Sequence, residues 1–528
     1  MGERARKIMQ LAMHKRESDS NLTKYVTQGD VQVDFHDTQN KNKVLEITPR
    51  PKLLDISYNY VSAQDNANTV VSIAPSKPND VETSTEANFR NEIEPQAVPD
   101  SYTTNVDDSP YNIYHLAIFR RMESKNLVQA PVLEVLTKML EEMNIKNYTL
   151  TITSPKEKEQ NYFGIIAKAK VDNLNTDEQY DFIIKSAPQD KEFRKTVFVE
   201  EVFQREIYIY SQLHSKFAKL QNDKNIENPF NSYPKYYASI DKYNNEAIIL
   251  QNMFSLGYKH WNHENSLDAN HLLLVMGELG KCHALSYAAR KHGGIFFEEI
   301  VNNTQEIFFQ DFKVDSMRVT AQSYLRRLAQ VLDPKLDKTL HEKVNHFTEN
   351  VTTIIAKSVD SKNADQYAVV THGDCSLNNF LFKYVDSNNF ESPTGLCFLD
   401  WQTSRFGSPA LDISCFLFTS MSKIVKILYH DLIKEYYRSL CCMLTKFGID
   451  GTKTLPFFEL QNQLKRFSVY GLFVASITVY LKSYKLQDIK VLESQEGNVE
   501  DISENATKYN TIMRDVLLLI EELGYDFS

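Results

Sequence analysis

Residues Thr371–Tyr384, THGDCSLNNFLFKY, place several small polar side chains on one short segment. An apolar run precedes the segment and another, Phe380–Phe382, lies near its end, so the polar residues are predicted to form a turn between strands. His372, Asp374 and Asn379 all lie on this turn. A carboxylate held on such a loop can take a proton from a hydroxyl group, which is the role of a general base. Asp374 is therefore the predicted catalytic residue.

A second carboxylate ends the next apolar stretch, GLCFLDWQ, in which Asp400 follows Gly395–Leu399. The stretches Phe380–Tyr384 and Gly395–Leu399 are predicted to pair as a hairpin, which would bring Asn379 close to Asp400. An amide oxygen and a carboxylate are hard ligands that suit Mg²⁺, whose other ligands are waters and substrate phosphates. A catalytic Asp, an Asn and a metal-binding Asp on the next strand form an arrangement typical of phosphoryl transfer. Asn379 and Asp400 are the predicted metal ligands.

A cation for the nucleotide phosphates is also required, and Lys185 ends the predicted strand DFIIK. Glu206, in the following helix, is predicted to hold this lysine. Each of these residues alone is ordinary, since strand-end lysines and helix-surface acids are mostly solvated; their order along the chain is what favours a site. His372 is predicted to support the turn. Asp412 in GSPALDIS is predicted to cap the helix that begins there, with a bond back to the catalytic loop as a further role.

Composition limits the class of protein. The chain has 528 residues, of which 42% are apolar, so it can bury a sizeable core. Its formal net charge of −10 argues against nonspecific nucleic-acid binding. The cysteines form no CxxC pair and the N-terminus has no apolar signal region, which favours a reducing, cytoplasmic setting. Phe467–Leu481 is the longest apolar stretch and is predicted to be a buried helix rather than a membrane span. No protein partner is evident.

Three regions are predicted along the chain. Residues 1–109 are rich in polar residues and are predicted to be a disordered or loosely attached extension, with a small β-element at Val44–Ala74 as the alternative. Residues 110–253 are predicted to form a strand-rich lobe, and residues 254–528 are predicted to form a larger, mainly helical lobe. The predicted fold class is therefore α+β with two lobes.

The elements of the first lobe are predicted from hydrophobic spacing. A helix is expected to begin at Pro131, and Thr196–Leu213 carries an apolar stripe at helical spacing. Strands are expected at YTLTIT, GIIAKAKV, YDFIIKS and EAIILQNM. From Ser266 onward the pattern is mostly helical.

These motifs together resemble the ecdysteroid kinase-like family, which is related to choline kinases and aminoglycoside phosphotransferases. HGDCSLNNFLFKY and CFLDWQTSRFGSPALDISCFLF are similar to its patterns HGDxWxNN and DFQxxRxxSPxxDLxxFL. FQREIYIY and LGKCHALSYA also match in order, and the resemblance covers about residues 110–528. It implies a two-lobed, protein-kinase-like fold and an ATP- and Mg²⁺-dependent kinase acting on a steroid-like or other small hydrophobic alcohol.

Residue by residue, the resemblance implies that Asp374 is the base, that Asn379 and Asp400 bind Mg²⁺, and that Lys185 contacts ATP phosphates while paired with Glu206. The sequence departs from the family pattern at three places. Ser376 stands where Trp is frequent, Trp401 stands where Phe is frequent, and LQNM replaces the more usual Leu-Glu-Asp-Leu between the lobes.

Other functions stay open at this stage. The spacing between Asp400 and Asp412 leaves no room for the long activation segment that would hold a peptide, so a small-molecule kinase is favoured over a protein kinase. Within small-molecule kinases, the acceptor could instead be choline, an aminoglycoside or another small alcohol. A catalytically inactive, nucleotide-binding pseudokinase is the alternative of a different class.

Overall fold

The computed structural model describes residues 71–73, 128–154, 164–196, 198–262, 266–309, 315–385, 390, 392–484 and 504–527. Apart from residues 71–73, the predicted N-terminal extension lies outside these ranges. Val71–Ile73 forms a short strand that pairs antiparallel with the first strand of the predicted lobe. This pairing is what the alternative of an appended β-element leads one to expect, and the proposed boundaries of the three regions stay a prediction.

Helices and strands follow one another along the described ranges. The strands are β1 Val71–Ile73, β2 Tyr148–Thr153, β3 Ile165–Asn173, β4 Gln179–Ser186, β5 Tyr236–Ile240, β6 Ala247–Gln251, β7 Tyr258–His260, β8 Val369–Thr371, β9 Phe380–Tyr384, β10 Pro393–Phe398 and β11 Arg405–Gly407. The helices are α1 Ala130–Glu142, α2 Lys191–Thr196, α3 Val199–Tyr208, α4 His214–Asp223, α5 Ala269–His292, α6 Gly294–Asn303, α7 Asp315–Ala329, α8 Lys338–Glu349, α9 Val351–Val359, α10 Ala410–Thr419, α11 Lys423–Lys446, α12 Gly451–Thr454, α13 Phe457–Phe467, α14 Val469–Ser483 and α15 Glu504–Glu522.

The small lobe is built on an antiparallel sheet with strand order β1-β2-β3-β4-β6-β5. Side chains alternate across each strand, so each strand presents one set of residues to each face. Phe182 and Ile184 of β4 belong to a buried cluster with Leu136 of α1, which covers one face of the sheet. Lys185 directly follows Ile184 in β4, so its side chain points to the opposite face of the sheet. Glu206 of α3 contacts it on that face.

The helix predicted at Thr196–Leu213 differs in detail from the observed one. The chain breaks at Phe198, whose φ of 54° is left-handed, and α3 begins after it. A π-helical turn, Ile209–Leu213, then connects α3 directly to α4, so helical structure continues to Asp223. The prediction placed Glu206 correctly within a helix but missed both the break and the extension, because both depend on contacts with the rest of the lobe.

The large lobe is mainly helical. Helix α5 packs along α11, and α10 packs along α14. The long apolar stretch of the sequence forms most of α14, and most of its residues are buried, as predicted. Among the described helices, none alone has the length and the apolar composition to cross a membrane; α13 and α14, bent by 53°, meet both criteria only as a pair.

Two small sheets place the predicted catalytic turn, which lies between Thr371 and Phe380, in this lobe. Strands β9 and β10 pair antiparallel, which confirms the predicted hairpin, and β7 adds a third strand that the sequence did not predict. Strands β8 and β11, which precede and follow the hairpin along the chain, pair with each other. The strand-rich small lobe and the helical large lobe confirm the predicted two-lobed, α+β fold class.

Candidate active site

Lys185 joins the two lobes at a charged contact. Its ammonium lies 2.6 Å from Glu206 Oε2 on α3, and the predicted pair between these residues is therefore present. The same nitrogen lies 2.7 Å from Asp400 Oδ1 and 3.1 Å from Gln402 Oε1, both in the large lobe. Lys185 is 4% exposed, so these bonds form away from bulk water. Electrostatic interactions are stronger in such surroundings than at the surface.

The charge state of this contact follows from two opposing effects. Burial lowers the pKa of Lys185, but the carboxylates of Asp400 and Glu206 outweigh it and raise the pKa above its ordinary value. Burial also raises the pKa of Glu206, to about 7, against the opposing effect of the lysine. Lys185 therefore stays an ammonium ion. Its positive charge compensates the two nearby carboxylates, which would otherwise be unfavourable in a buried position.

The β9–β10 hairpin brings Asn379 and Asp400 to neighbouring positions. Leu399 donates its backbone N–H to the carbonyl oxygen of Asn379, at 2.8 Å, so the start of one strand meets the end of the other. Asp400 itself has a φ of 63° and a ψ of 65°, a left-handed conformation that is uncommon outside glycine. Such conformations persist where the surrounding structure enforces them, and they cluster at functional sites.

Asp374 and Asn379 form a second contact on the catalytic turn. The amide of Asn379 donates to Asp374 Oδ2 at 2.9 Å and to the Asp374 carbonyl oxygen at 3.0 Å. Burial raises the pKa of Asp374, and repulsion from Asp400 adds to the rise, whereas His372 and Asn379 act against it. Asp374 is half-buried, so part of the residue remains exposed at the protein surface.

The amide orientation of Asn379 bears on metal binding. Because its nitrogen points at Asp374, its side-chain oxygen points elsewhere and accepts no hydrogen bond from the described residues. Asn379 and Asp400 thus offer oxygen donors of the type that Mg²⁺ prefers. Within the described ranges, no group of three or more His, Cys, Asp or Glu residues is placed to hold a metal ion. The residues fit an ion that takes its remaining ligands from phosphates and water.

Of the two roles predicted for Asp412, the bond back to the catalytic loop is present and the helix cap is not. Helix α10 begins after Pro409 without a side-chain cap, so the capping prediction is wrong. Asp412 instead accepts hydrogen bonds from the backbone N–H groups of His372, at 2.6 Å, and Gly373, at 2.9 Å. It is fully buried, and although burial raises its pKa, the hydrogen bond from His283 and the bonds from the turn hold the pKa below its ordinary value. Asp412 is thus a buried anion that fixes the turn before Asp374.

His372 supports the turn through its ring. Its Nε2 lies 2.8 Å from the carbonyl oxygen of Leu399, which can only accept, so Nε2 carries a proton. The backbone N–H of Asp374 in turn donates to His372 Nδ1 at 3.4 Å. The histidine therefore connects this turn to Leu399, which lies between the end of β10 and Asp400.

Several residues of this network were not predicted. His283 on α5 lies 3.1 Å from Asp412 through Nε2 and 2.8 Å from the Tyr436 hydroxyl through Nδ1. Tyr470 on α14 donates its hydroxyl to the Gly373 carbonyl oxygen at 2.7 Å. A polar ring within an otherwise buried helix face, as at His283, is the sequence signal that could have identified it.

The three departures from the family pattern each have a structural setting. Ser376 is buried, and its backbone N–H donates to the Asp374 carbonyl oxygen at 2.9 Å. Trp401 is 2% exposed and packs beside His372, with ring centroids 4.7 Å apart. Asn252 accepts the backbone N–H of Phe254 at 3.1 Å and so caps the short turn that follows β6. None of the three removes a residue of the predicted phosphoryl-transfer set.

A sequence model of the ecdysteroid kinase-like family matches residues 158–449, which is more than half of the chain. The chain belongs to this family. The matched range includes all seven of the predicted site residues, from Lys185 to Asp412.

Comparison with proteins of known annotation found no match to this chain. Among solved structures, ethanolamine kinase from Plasmodium vivax is similar at 13% identity, with 78% of this chain and 96% of that chain covered and a TM-score of 0.36. Choline kinase from Cryptosporidium parvum is similar at 12% identity, with coverage of 71% and 90% and a TM-score of 0.36. An aminoglycoside 2′-phosphotransferase in its GDP complex is similar at 10% identity, with coverage of 74% and 97% and a TM-score of 0.34.

Proposed function

We propose that this protein transfers the γ-phosphate of Mg-ATP to a hydroxyl group of a steroid-like or other small hydrophobic alcohol. Membership of the ecdysteroid kinase-like family supports a small-molecule kinase. The observation that carries the proposal is the contact of Lys185 with both Glu206 and Asp400, beside a half-buried Asp374 that is bonded to Asn379. These residues supply the cation, the metal ligands and the base that phosphoryl transfer requires.

In this proposal, Asp374 accepts the proton of the acceptor hydroxyl while the acceptor oxygen forms its bond to the γ-phosphorus. The bond from that phosphorus to the bridging oxygen of the β-phosphate breaks, and ADP leaves. Bound Mg²⁺ would neutralise charge on the phosphate oxygens. Asn379 and Asp400 would hold the ion, and Lys185 would bind phosphate oxygens while Glu206 fixes its position. Most of the catalysis would come from this positioning and charge stabilisation.

Two variants of similar shape separate the roles. Asp374→Asn removes a proton acceptor but no metal ligand, so we expect nearly unchanged Mg-ATP affinity and a fall in turnover of about 10²-fold or more. Asp400→Asn removes a ligand charge and a partner of Lys185, so we expect weaker Mg-ATP binding as well. Calorimetric affinity and product formation against a panel of steroids, phenols, glycosides and choline would measure both.

The panel also separates the alternatives. Turnover on choline or an aminoglycoside, with none on hydrophobic alcohols, would replace the proposed acceptor class. Binding of Mg-ATP without turnover on any acceptor would favour a pseudokinase. Full turnover of Asp374→Asn on the true acceptor would overturn the base assignment.

A further inference from the structure

Arg205 connects helix α3 to the large lobe through two hydrogen bonds. It directly precedes Glu206 and is only 8% exposed. Its guanidinium donates one N–H to the carbonyl oxygen of Ser404 and another to the carbonyl oxygen of Gln305, the second at 2.6 Å. Hydrogen bonds from an ionised donor are stronger than those between neutral groups. Helix α3 is therefore attached to the large lobe at the position next to the residue that holds Lys185.

The first acceptor, Ser404, is tied to the predicted catalytic turn. Its hydroxyl donates to the carbonyl oxygen of His372 at 3.3 Å. Ser404 also directly precedes β11, in which Arg405 pairs with Thr371 of β8. The carbonyl group that receives Arg205 is therefore held in a fixed relation to the start of this turn.

The second acceptor, Gln305, lies in residues 304–309, which follow α6 and are called the bridging segment here. Glu306 anchors this segment beside the predicted catalytic turn, because its Oε2 lies 2.7 Å from Nε of Arg405. Its Oε1 accepts the backbone N–H groups of Phe308, at 2.6 Å, and Phe309, at 3.1 Å. The side chains of Glu306 and Arg405 are each 2% exposed, so the ion pair that anchors the segment is buried.

The bridging segment also contacts the start of α3. Phe308 packs against Val199 and Val202 of this helix, and its ring lies edge-on to Phe198 with centroids 6.0 Å apart. Phe198 has the left-handed conformation that breaks the chain before α3. A bulky residue adopts this conformation where the surrounding structure enforces it. The same segment thus holds α3 at its first residues and at Arg205.

This attachment differs from the contact of Lys185 with Asp400 in its dependence on charge. In the proposed function, Asp400 binds Mg²⁺ and Lys185 binds phosphate, so their direct contact has to change when nucleotide binds. Arg205 instead bonds to backbone carbonyl oxygens, which keep the same charge in both states. Burial lowers the pKa of Arg205 to about 10, with Glu306 opposing the fall and Arg405 adding to it, so the guanidinium stays protonated at neutral pH.

We propose that Arg205 is a positioning residue for the nucleotide site, and that its bonds to Ser404 and Gln305 hold α3 where Glu206 can orient Lys185. This inference rests on the proposed function, because it takes Lys185 as the cation that binds the nucleotide phosphates. Arg205 would contact no phosphate and would act through Glu206. Loss of its bonds should let α3 move away from the large lobe and weaken nucleotide binding.

A double-mutant cycle tests whether Arg205 acts through Glu206. Calorimetric Mg-ATP affinity would be measured for the unaltered protein, Arg205→Gln, Glu206→Ala and the double variant. Arg290→Gln is the matched control, because Arg290 also donates to two carbonyl oxygens, those of Gln366 and Ala368, and both belong to the large lobe.

Arg205→Gln should weaken Mg-ATP binding by about tenfold, whereas Arg290→Gln should change it by less than about twofold. In the Glu206→Ala background the effect of Arg205→Gln should also fall below about twofold, because the residue through which it acts is gone. Arg205→Lys keeps the charge, so it should lose less affinity than Arg205→Gln, and it takes the place of that variant in the cycle if Arg205→Gln does not fold.

Three results would overturn the proposal: unchanged affinity in Arg205→Gln, the same loss in both backgrounds, or a comparable loss in Arg290→Gln. The second would show that Arg205 acts independently of Glu206. The third would show that loss of any such pair of carbonyl contacts weakens nucleotide binding.

Hydrogen exchange separates this inference from the proposed function. Backbone amides of residues 202–208 should exchange about tenfold faster in Arg205→Gln than in the unaltered protein or in Arg290→Gln, because α3 would open more readily. An unchanged exchange rate would overturn the inference. If no variant binds Mg-ATP but exchange rises only in Arg205→Gln, the kinase proposal fails and the attachment of α3 by Arg205 stands. If Mg-ATP binds equally well to Arg205→Gln and to the unaltered protein, the kinase proposal stands and this inference fails.

Discussion

The ammonium of Lys185 lies 2.7 Å from the carboxylate of Asp400, a residue 215 positions later in the chain. Lys185 belongs to the sheet of the small lobe, and Asp400 follows the hairpin of the large lobe. The charged contact therefore spans the lobes at the place where the nucleotide phosphates are proposed to bind. Its consequences for stability can be measured without knowledge of the acceptor.

Lys185→Met should lower both the stability and the nucleotide affinity of the protein. Removal of one member of a buried ion pair leaves the other uncompensated, which costs about 3–5 kcal/mol. The side chain of Glu206 is only 2% exposed, so it would be left in such a position. Urea unfolding of Lys185→Met and of Lys185→Met with Glu206→Gln would test this explanation. The second substitution should restore part of the loss, and a further loss of similar size would contradict it.

Features set by neighbouring residues were the ones best predicted from the sequence. Tyr148–Thr153 was predicted with both ends correct, because alternating residues report strand structure over a few positions. The helix cap predicted for Asp412 is wrong, although its predicted bond back to the catalytic loop is present. Its partners His283 and His372 are 129 and 40 positions away, so the individual bonds could not be predicted. The contact of Lys185 with Asp400 was likewise not predicted. Residue types and order indicated the members of the site, but which atoms they bond depends on how the lobes pack.

Asp412→Asn should destabilise the protein more than the loss of a helix cap would. One carboxylate accepts from His372, Gly373 and His283, and an amide of the same shape offers one acceptor oxygen fewer. We expect a loss of about 3 kcal/mol in the free energy of unfolding, because a buried donor would lose its partner. If Asp412 served only as a cap, the substitution would change the free energy of unfolding very little, because Asn and Asp cap helices about equally well. Denaturant unfolding distinguishes the two values.

Gly373→Ala should disrupt the catalytic turn. Gly373 has a φ of 89°, and a Cβ atom there would collide with the carbonyl group of Thr403. Gly448 is the matched control, since its φ is 70° and a Cβ atom would meet open space. Gly448→Ala should cost about 1–2 kcal/mol from the left-handed conformation alone. Gly373→Ala should cost clearly more and reduce turnover, and equal losses for the two variants would show that the collision is relieved by small shifts.

His214→Phe should make the protein less sensitive to acid. The His214 ring stacks on Tyr233, with centroids 3.7 Å apart, and lies edge-on to Trp401 at 4.9 Å. Neither of its ring nitrogens has a hydrogen-bond partner among the described residues. Burial, with a smaller effect from His372, lowers its pKa to about 3. The ring therefore stays neutral in the folded state at pH values where it is protonated in the unfolded chain.

The sign of this effect is fixed by the difference in proton binding. Because the folded pKa lies below the unfolded value of about 6.5, the unfolded state takes up a proton first and stability falls as the pH drops from 6.5 toward 3. His214→Phe removes this part of the loss and keeps an aromatic ring in the cluster. Unfolding free energies at pH 7.5 and pH 5.0 should show a gain over the unaltered protein that is about 2 kcal/mol larger at pH 5.0. His430→Phe, at an exposed position, controls for the change of ring chemistry. An equal gain at both pH values for His214→Phe would mean that His214 does not remain neutral and buried in the folded state.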